Sequence, residues 1–469
     1  MDAASESGAP AAPSLVRQLG VVSATALVVS NMIGTGIFTT TGFLAGDLGD
    51  PYLILGIWLV GAVVALCGAF CYSELGVNFP SSGGEYVYLS RAYGLTWGFM
   101  SGWISFFAGF SAPIAAAALA FSEYLGYFYP GLQQEQAGVI FESSWLTLRV
   151  GGAQYTAAAV IGLFTLLNCV GLTRVAKVQN VLTATKVAVV IAFIFFGILV
   201  GTGDWGYFAQ PAVRTSTTPL ASQFAISLFW VYFGYSGWNA ATYVAEELRQ
   251  PRRTLPLALA LGTAVVALLY VGLNVTFMYG TGLESMKGVF AVGSLAASKL
   301  FGPEISGIFS ALMAVSILST VNAMVTIGPR VYFAMARNGA FFSFARKVNP
   351  RFHTPIPAIL CQGACAILMT MTPFPQLVVY IGFSLTFFTV LAVASLFLFR
   401  RRPTWEKLPV VSFAWPLMPA IFVLVGVWMI IYGVMLQPVV SAAAIVTIAA
   451  GAAAYHLAVK GRPGEQAES

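Results

Sequence analysis

Charge is what this sequence has least of. Lys, Arg, Asp and Glu make up 9% of its 469 residues, against about 25% in soluble domains. With hydrophobic residues at 58%, that scarcity excludes an ordinary soluble domain and points to an integral membrane protein. Histidine is almost missing, and the two present, His353 and His456, lie near loops. The five cysteines, Cys67, Cys71, Cys169, Cys361 and Cys365, sit in or at the ends of apolar segments, so no metal cluster and no disulfide framework is implied. A nucleophile–base set is also lacking. Gly34-Thr35-Gly36 has neither the third glycine nor the preceding strand of a dinucleotide site. Neither an enzyme, a cofactor nor a metal is therefore expected. The net charge of +6 is carried by short loops and reads as membrane topology, not as affinity for nucleic acid.

What the chain has in abundance is apolar runs of spanning length. Twelve can be placed, at about 21–45, 52–77, 96–128, 153–170, 178–200, 220–244, 255–279, 305–335, 357–371, 376–399, 410–435 and 439–459. A surface helix is expected near 292–300. If the N-terminus is inside, 18 of the 23 Lys and Arg fall on the inner side and 4 outside, with Lys186 in mid-membrane. That asymmetry favours both termini in the cytoplasm and a location in the cytoplasmic membrane. The expected organisation is a tail at 1–19, a five-helix unit at 20–200, an outer loop at 201–219, a second five-helix unit at 220–400, helices eleven and twelve at 401–460, and a tail at 461–469. An odd number of helices per unit turns the second unit over, which makes the pair a candidate inverted repeat.

Two short stretches interrupt spans at corresponding places. Ile33-Gly34-Thr35-Gly36-Ile37-Phe38 breaks the first, and Phe233-Gly234-Tyr235-Ser236-Gly237-Trp238 breaks the sixth. Paired glycines are poor helix formers, and an unwound turn survives in a bilayer only where protein buries it or it lines a cavity. The half-helix starting after Gly36 would offer N–H groups to a carboxylate. The half-helices ending near Ile33 and Phe233 would offer carbonyls to an ammonium group. A zwitterion such as an α-amino acid fits that pair, as would a carboxylate together with a cation.

Lys186 lies eight residues into the fifth span. A lysine at that depth is costly and functional by default, although snorkelling to the interface is the competing reading. Glu74 and Glu123 read as solvated or hydrogen-bonded structural carboxylates near the two interfaces. Glu246 and Glu247, beside Arg249, Arg252 and Arg253, read as an inner salt-bridge network. In the ring-rich stretch 229–233, lipid contact or packing is expected for all but Phe233, a lid over substrate. Asn239 is placed to face either ligand or protein.

Four stretches carry a resemblance: Asn31-Met32-Ile33-Gly34-Thr35-Gly36-Ile37-Phe38; Glu74-Leu75-Gly76 with Phe79-Pro80-Ser81-Ser82-Gly83-Gly84-Glu85-Tyr86; Phe233 to Asn239 with Glu246-Glu247 and Pro251-Arg252-Arg253; and Pro329-Arg330-Val331-Tyr332-Phe333-Ala334-Met335-Ala336-Arg337-Asn338-Gly339. On these the chain resembles the amino acid–polyamine–organocation superfamily, and within it bacterial permeases similar to the L-type amino acid transporters. The resemblance implies an all-α polytopic fold of twelve helices: a five-plus-five inverted repeat with helices one and six unwound, and two further helices at the C-terminus. It implies substrate carboxylate on the backbone of Thr35, Gly36 and Ile37, with Gly34 in the same turn. Ammonium would lie on carbonyls near Ile33, Phe233 and Ser236, beside Gly234, with Phe233 as gating ring. Lys186 matches a lysine standing where sodium sits in sodium-coupled relatives. The loop 129–149 has no cysteine, so no disulfide-linked ancillary subunit is expected.

The expected function is secondary transport of L-amino acids across the membrane by alternating access, sodium-independent, as exchange or proton-coupled uptake. Neutral substrates are favoured because only Lys186 is charged near the breaks. A cationic amino acid or polyamine permease is the alternative, and an amino-acid sensor the alternative from another class.

Overall fold

The computed structural model describes residues 19–460 except 81–82, 144–146, 171, 338–340 and 353, and not the side chains of 172–180, 334 and 337. The expected tails, Ser81-Ser82, Asn338-Gly339 and His353 lie outside the described residues, Leu19 excepted.

The chain is helical almost throughout. The first span is a bent pair, α1 (Val21–Met32) and α2 (Gly36–Leu48), meeting at 45°. Then come α3 (Pro51–Asn78), α4 (Glu85–Tyr93), α5 (Leu95–Ile104) and α6 (Ala112–Leu125), the last two joined by a π-helical turn at Ser105–Ser111. An antiparallel hairpin, β1 (Gly138–Glu142) and β2 (Thr147–Val150), precedes α7 (Gly152–Cys169) and α8 (Leu172–Leu199). α9 (Leu220–Tyr235) continues past the second break as a 3₁₀ segment, Ala240–Glu247. There follow α10 (Pro251–Thr281), α11 (Leu283–Met286), α12 (Val292–Phe301), α13 (Pro303–Arg337), α14 (Ile356–Met369), α15 (Phe374–Phe399), α16 (Pro409–Phe413), α17 (Leu417–Leu436) and α18 (Pro438–Ala454). Among the described residues nine helices are long and apolar enough to cross a membrane, ten with the bent pair. This is a multi-pass membrane protein. α9 and α14, the other two segments expected to cross, are shorter.

Local sequence sets the punctuation. Asp50 caps α3, its carboxylate accepting from Tyr52 N (2.8 Å) and Leu53 N (2.9 Å), with Pro51 at the first helical position. Such a cap contributes about 1 kcal/mol. Call the side carrying Leu19 the near face. Leu19 pairs there with the end of the 3₁₀ segment, through Leu19 N to Glu247 O and Arg249 N to Leu19 O, both 3.0 Å. On the far face Arg214 donates to Asp47 O (2.8 Å) and Thr218 O (2.7 Å), fastening the loop before α9 to the end of α2.

The structure gives several of these residues their partners. Glu74 is a hydrogen-bonded structural carboxylate and not a solvated one: it is fully buried and held by Arg400 Nε (2.7 Å), Trp405 Nε1 (2.8 Å) and Leu408 N (3.0 Å). Arg400 also lies over the Trp415 ring at 4.3 Å. The sequence places these partners more than 300 residues apart, so only the fold reveals them. Arg252 pairs with Glu406 (2.8 Å). The helix at 292–301 buries one face, with Val292, Ala296, Ala297 and Leu300, and leaves Lys299 exposed. In the ring-rich stretch Phe229, Trp230 and Val231 are buried, so packing is the role they take. Glu123 is half-buried and accepts from Gln134 N (3.0 Å), consistent with a structural carboxylate.

Candidate functional site

The two breaks, about 200 residues apart in sequence, touch. A Cβ added to Gly36 would stand 2.5 Å from Gly234 Cα and 2.9 Å from Gly234 N. Only two glycines allow backbones so close. One turn further, Gly237 has φ +96°, a left-handed conformation that favours glycine, and its face lies against the Asn31 carbonyl. The first break thus crosses the second at two points, Gly36 on Gly234 and Asn31 on Gly237.

Most carbonyls freed by the breaks are already engaged. The Tyr270 hydroxyl, from the middle of α10, lies 2.6 Å from Met32 O and 2.9 Å from Gly234 O and so bridges both breaks. Phe233 O accepts from Ser236 N (3.2 Å) and Ser236 Oγ (2.8 Å). Thr39 and Thr40 fold back on Thr35 O (3.0 Å) and Gly36 O (2.7 Å). The first N–H bond back across the break is Phe38 N to Thr35 O (3.0 Å). The N–H groups of Gly36 and Ile37, at the start of α2, have no partner outside the helix among the described residues. An aligned helix start of this kind favours a negative group. Gly34 faces Thr320 of α13, whose Cγ2 would lie 3.7 Å from an added Cβ. The arrangement can therefore hold a carboxylate on one side of the crossing, with Thr320 of α13 beside Gly34.

Lys186 is 1% exposed, and its Nζ donates to Ser30 O at 3.0 Å. Ser30 belongs to the last turn of α1, where carbonyls lack partners inside the helix. Beside it Ser30 Oγ and Thr183 Oγ1 are 3.1 Å apart. The side chain does not snorkel; its Nζ ties α8 to the lip of the first break.

On the far side the crossing is roofed by rings. Phe43 of α2 stacks on Trp230 of α9 at 4.6 Å and 6°. Phe290 and Phe374 meet edge to face at 4.6 Å, and Phe374 meets Phe233 at 6.1 Å. Phe233 is thus one ring of a larger roof, and α2 beneath it is buried almost throughout. Toward the near face, Asn239 turns away from the crossing. Its amide donates to Glu85 Oε1 (3.0 Å) and the Tyr243 hydroxyl (3.3 Å). Tyr72 donates to the same Glu85 oxygen at 2.9 Å. Burial pushes the Glu85 carboxyl up to about 7, with the Tyr72 and Asn239 hydrogen bonds pulling it back.

Tyr270 and Glu85 were not singled out from the sequence. Tyr270 is signalled by polarity within a 31-residue apolar helix, where a partner is obligatory, and Glu85 only by its place directly after a glycine pair.

Comparison with known proteins adds an independent line. The sequence model of the amino acid permease family matches residues 19–455. The chain is 29% identical over 455 residues to the mouse large neutral amino acids transporter small subunit 2, covering 95% of this chain and 81% of that one. It is 28% identical to the mouse Asc-type amino acid transporter 1, with 95% and 82% covered. The serine/threonine exchanger SteT of Bacillus subtilis (strain 168) is 30% identical over 413 residues, 86% of this chain and 88% of its own.

Proposed function

We propose that this chain, which belongs to the amino acid permease family, carries neutral L-amino acids across the cytoplasmic membrane by alternating access, without sodium. Amino acid transport follows from the family. The neutral preference and the site assignments are our reading. The observation that carries it is the Gly36–Gly234 crossing, which puts the open N–H end of α2 against the last turn of α9, just before the second break. Substrate carboxylate lies on the N–H groups of Thr35, Gly36 and Ile37, with Gly34 giving room. Substrate ammonium lies among the carbonyls near Ile33, Phe233 and Ser236, beside Gly234. Phe233 closes over the bound molecule as part of the far-side roof. Asn239, held by Glu85, supports the second break from below.

Neutral side chains fit because the one charge beside the crossing, Lys186, is engaged by Ser30 O. When protonated, Lys186 supplies the positive charge a sodium ion would otherwise bring to the first break, and it serves as the coupling residue. We further infer twelve crossings, counting α9 with its 3₁₀ segment and α14, in two five-helix units of opposite orientation at 20–200 and 220–400. Both termini are then cytoplasmic. The similar placement of the bent span in one unit and the α9 break in the other supports this reading. With no cysteine in the loop 129–149, the chain works without a disulfide-linked subunit.

The test is uptake by purified protein in liposomes, using a panel of labelled amino acids with and without sodium and with and without internal amino acid. Saturable, sodium-indifferent uptake of neutral substrates, stimulated from the opposite side, is the expected result. Strict dependence on sodium, or preference for cationic substrates, would overturn it.

A further inference from the structure

Glu85 opens α4, the short near-face helix between α3 and α5, and is 7% exposed. Its hydrogen bonds come from two different elements, Tyr72 of α3 and Asn239 at the exit of the second break, and both converge on Oε1. Oε2 has no hydrogen bond among the described residues and is the atom on which a proton would sit. The groups facing the carboxyl are Tyr72 from α3, Tyr88 from α4 itself, Tyr232 from α9, Asn239 at the exit of the second break, and Tyr243 from the 3₁₀ segment. No Lys, Arg or His among the described residues acts on it. The arginine of the nearby near-face cluster, Arg400, is committed to Glu74. α5 and α15, which also pack on α4, bring no ionisable group against Glu85.

The seat is also rigid. Gly84 has φ +49°, and a Cβ there would stand 2.4 Å from the Tyr243 ring. The turn before Glu85 is therefore wedged against the 3₁₀ segment. The carboxyl is closed in where α4 and that segment meet, and it becomes fully open to water only when they part. A neutral acid is at ease in this place, whereas a carboxylate without a cation is not. α4 is packed on α5 and α15, while Tyr72 and Asn239 belong to the elements around the crossing. The contact is the joint between the break-bearing helices and their surroundings.

We propose that Glu85 is a proton-binding site that latches the near-face half of the second broken span, and that losing its proton releases the latch and speeds transport. This rests on the transporter reading above. The bond that changes is Oε2–H, whose proton goes to water when α4 and the 3₁₀ segment separate.

The experiment is amino acid exchange in liposomes with equal pH on both sides, for wild type, Glu85→Gln and Tyr72→Phe. One site titrating near 7 raises the wild-type rate about tenfold between about pH 6 and about pH 8. Glu85→Gln, a permanent neutral mimic, should show a slow and pH-independent rate. Tyr72→Phe, which removes a donor to the carboxylate, should move the midpoint to higher pH, a change that mere structural damage does not produce. A flat wild-type profile, an unchanged profile in Glu85→Gln, or a Tyr72→Phe midpoint that stays or falls would each overturn the proposal. Absence of exchange at every pH would instead overturn the transporter reading.

Discussion

The Gly36–Gly234 contact gives a sharp prediction, because a single methyl group tests it. In Gly36→Ala the new Cβ would lie 2.5 Å from Gly234 Cα and 3.2 Å from Phe233 Cδ1, where ordinary contacts run from 3.4 to 4 Å. The neighbour in the way is backbone, so rotamer changes give no relief. The two breaks must separate by about 1 Å, and a displacement of that size at a reacting or binding centre costs about 100-fold. The packing cost itself is about 1–3 kcal/mol, small enough for the protein to insert and fold. We expect exchange in liposomes to fall about 100-fold with normal yield and a normal gel-filtration profile. Gly56→Ala is the control, since a Cβ on that glycine of α3 meets nothing within 4 Å; it should keep the wild-type rate. A Gly36→Ala protein that exchanges within about twofold of wild type, with unchanged affinity, would refute the reasoning that the crossing is the site.

The other predictions concern charges. Lys186→Met should lower turnover at least about tenfold with insertion intact, because α8 loses its tie to Ser30 O; unaltered kinetics would reduce the lysine to packing. Arg400→Met leaves Glu74 buried without a cation and should cost about 3–5 kcal/mol, read as thermal destabilisation in detergent. Adding Glu74→Gln should recover part of the loss, and strict additivity of the two would contradict the pairing. The Glu85 carboxyl is raised from 4.5 to about 7 by burial, so the folded protein binds its proton more tightly than the unfolded chain. Its contribution to stability is then complete below about pH 4.5 and lost as pH rises through about 7. Wild-type thermal stability should fall more steeply across that window than that of Glu85→Gln, and parallel slopes would contradict the assignment.

The membrane class and the spans were legible because they depend on local composition, and the two breaks because glycine pairs stand out in apolar runs. Contact between the breaks was not legible. It depends on which glycine of each pair faces the other, and Gly34 and Gly36 look alike in sequence while only Gly36 meets Gly234. Lys186 could be picked by depth, but its partner, Ser30, required the packing of α8 on the lip of α1. Glu74 reads as interfacial because it ends an apolar run, and its burial comes from the 400–408 loop folding beneath it. Tyr270 escapes because a lone polar residue in an apolar context declares that it needs a partner without saying which, and Glu85 because an acid in a polar loop gives no sign that the fold will bury it.

The account centres on a crossing that recognises both ends of a free amino acid. The most direct measurement is competition against exchange of a labelled neutral amino acid by three ligands with the same side chain: the free amino acid, its methyl ester and its N-acetyl derivative. The predicted result is full competition by the free amino acid and none by either blocked form, because one loses the carboxylate for the α2 N–H groups and the other the ammonium for the carbonyls. Equal competition by the ester or the N-acetyl form would contradict it.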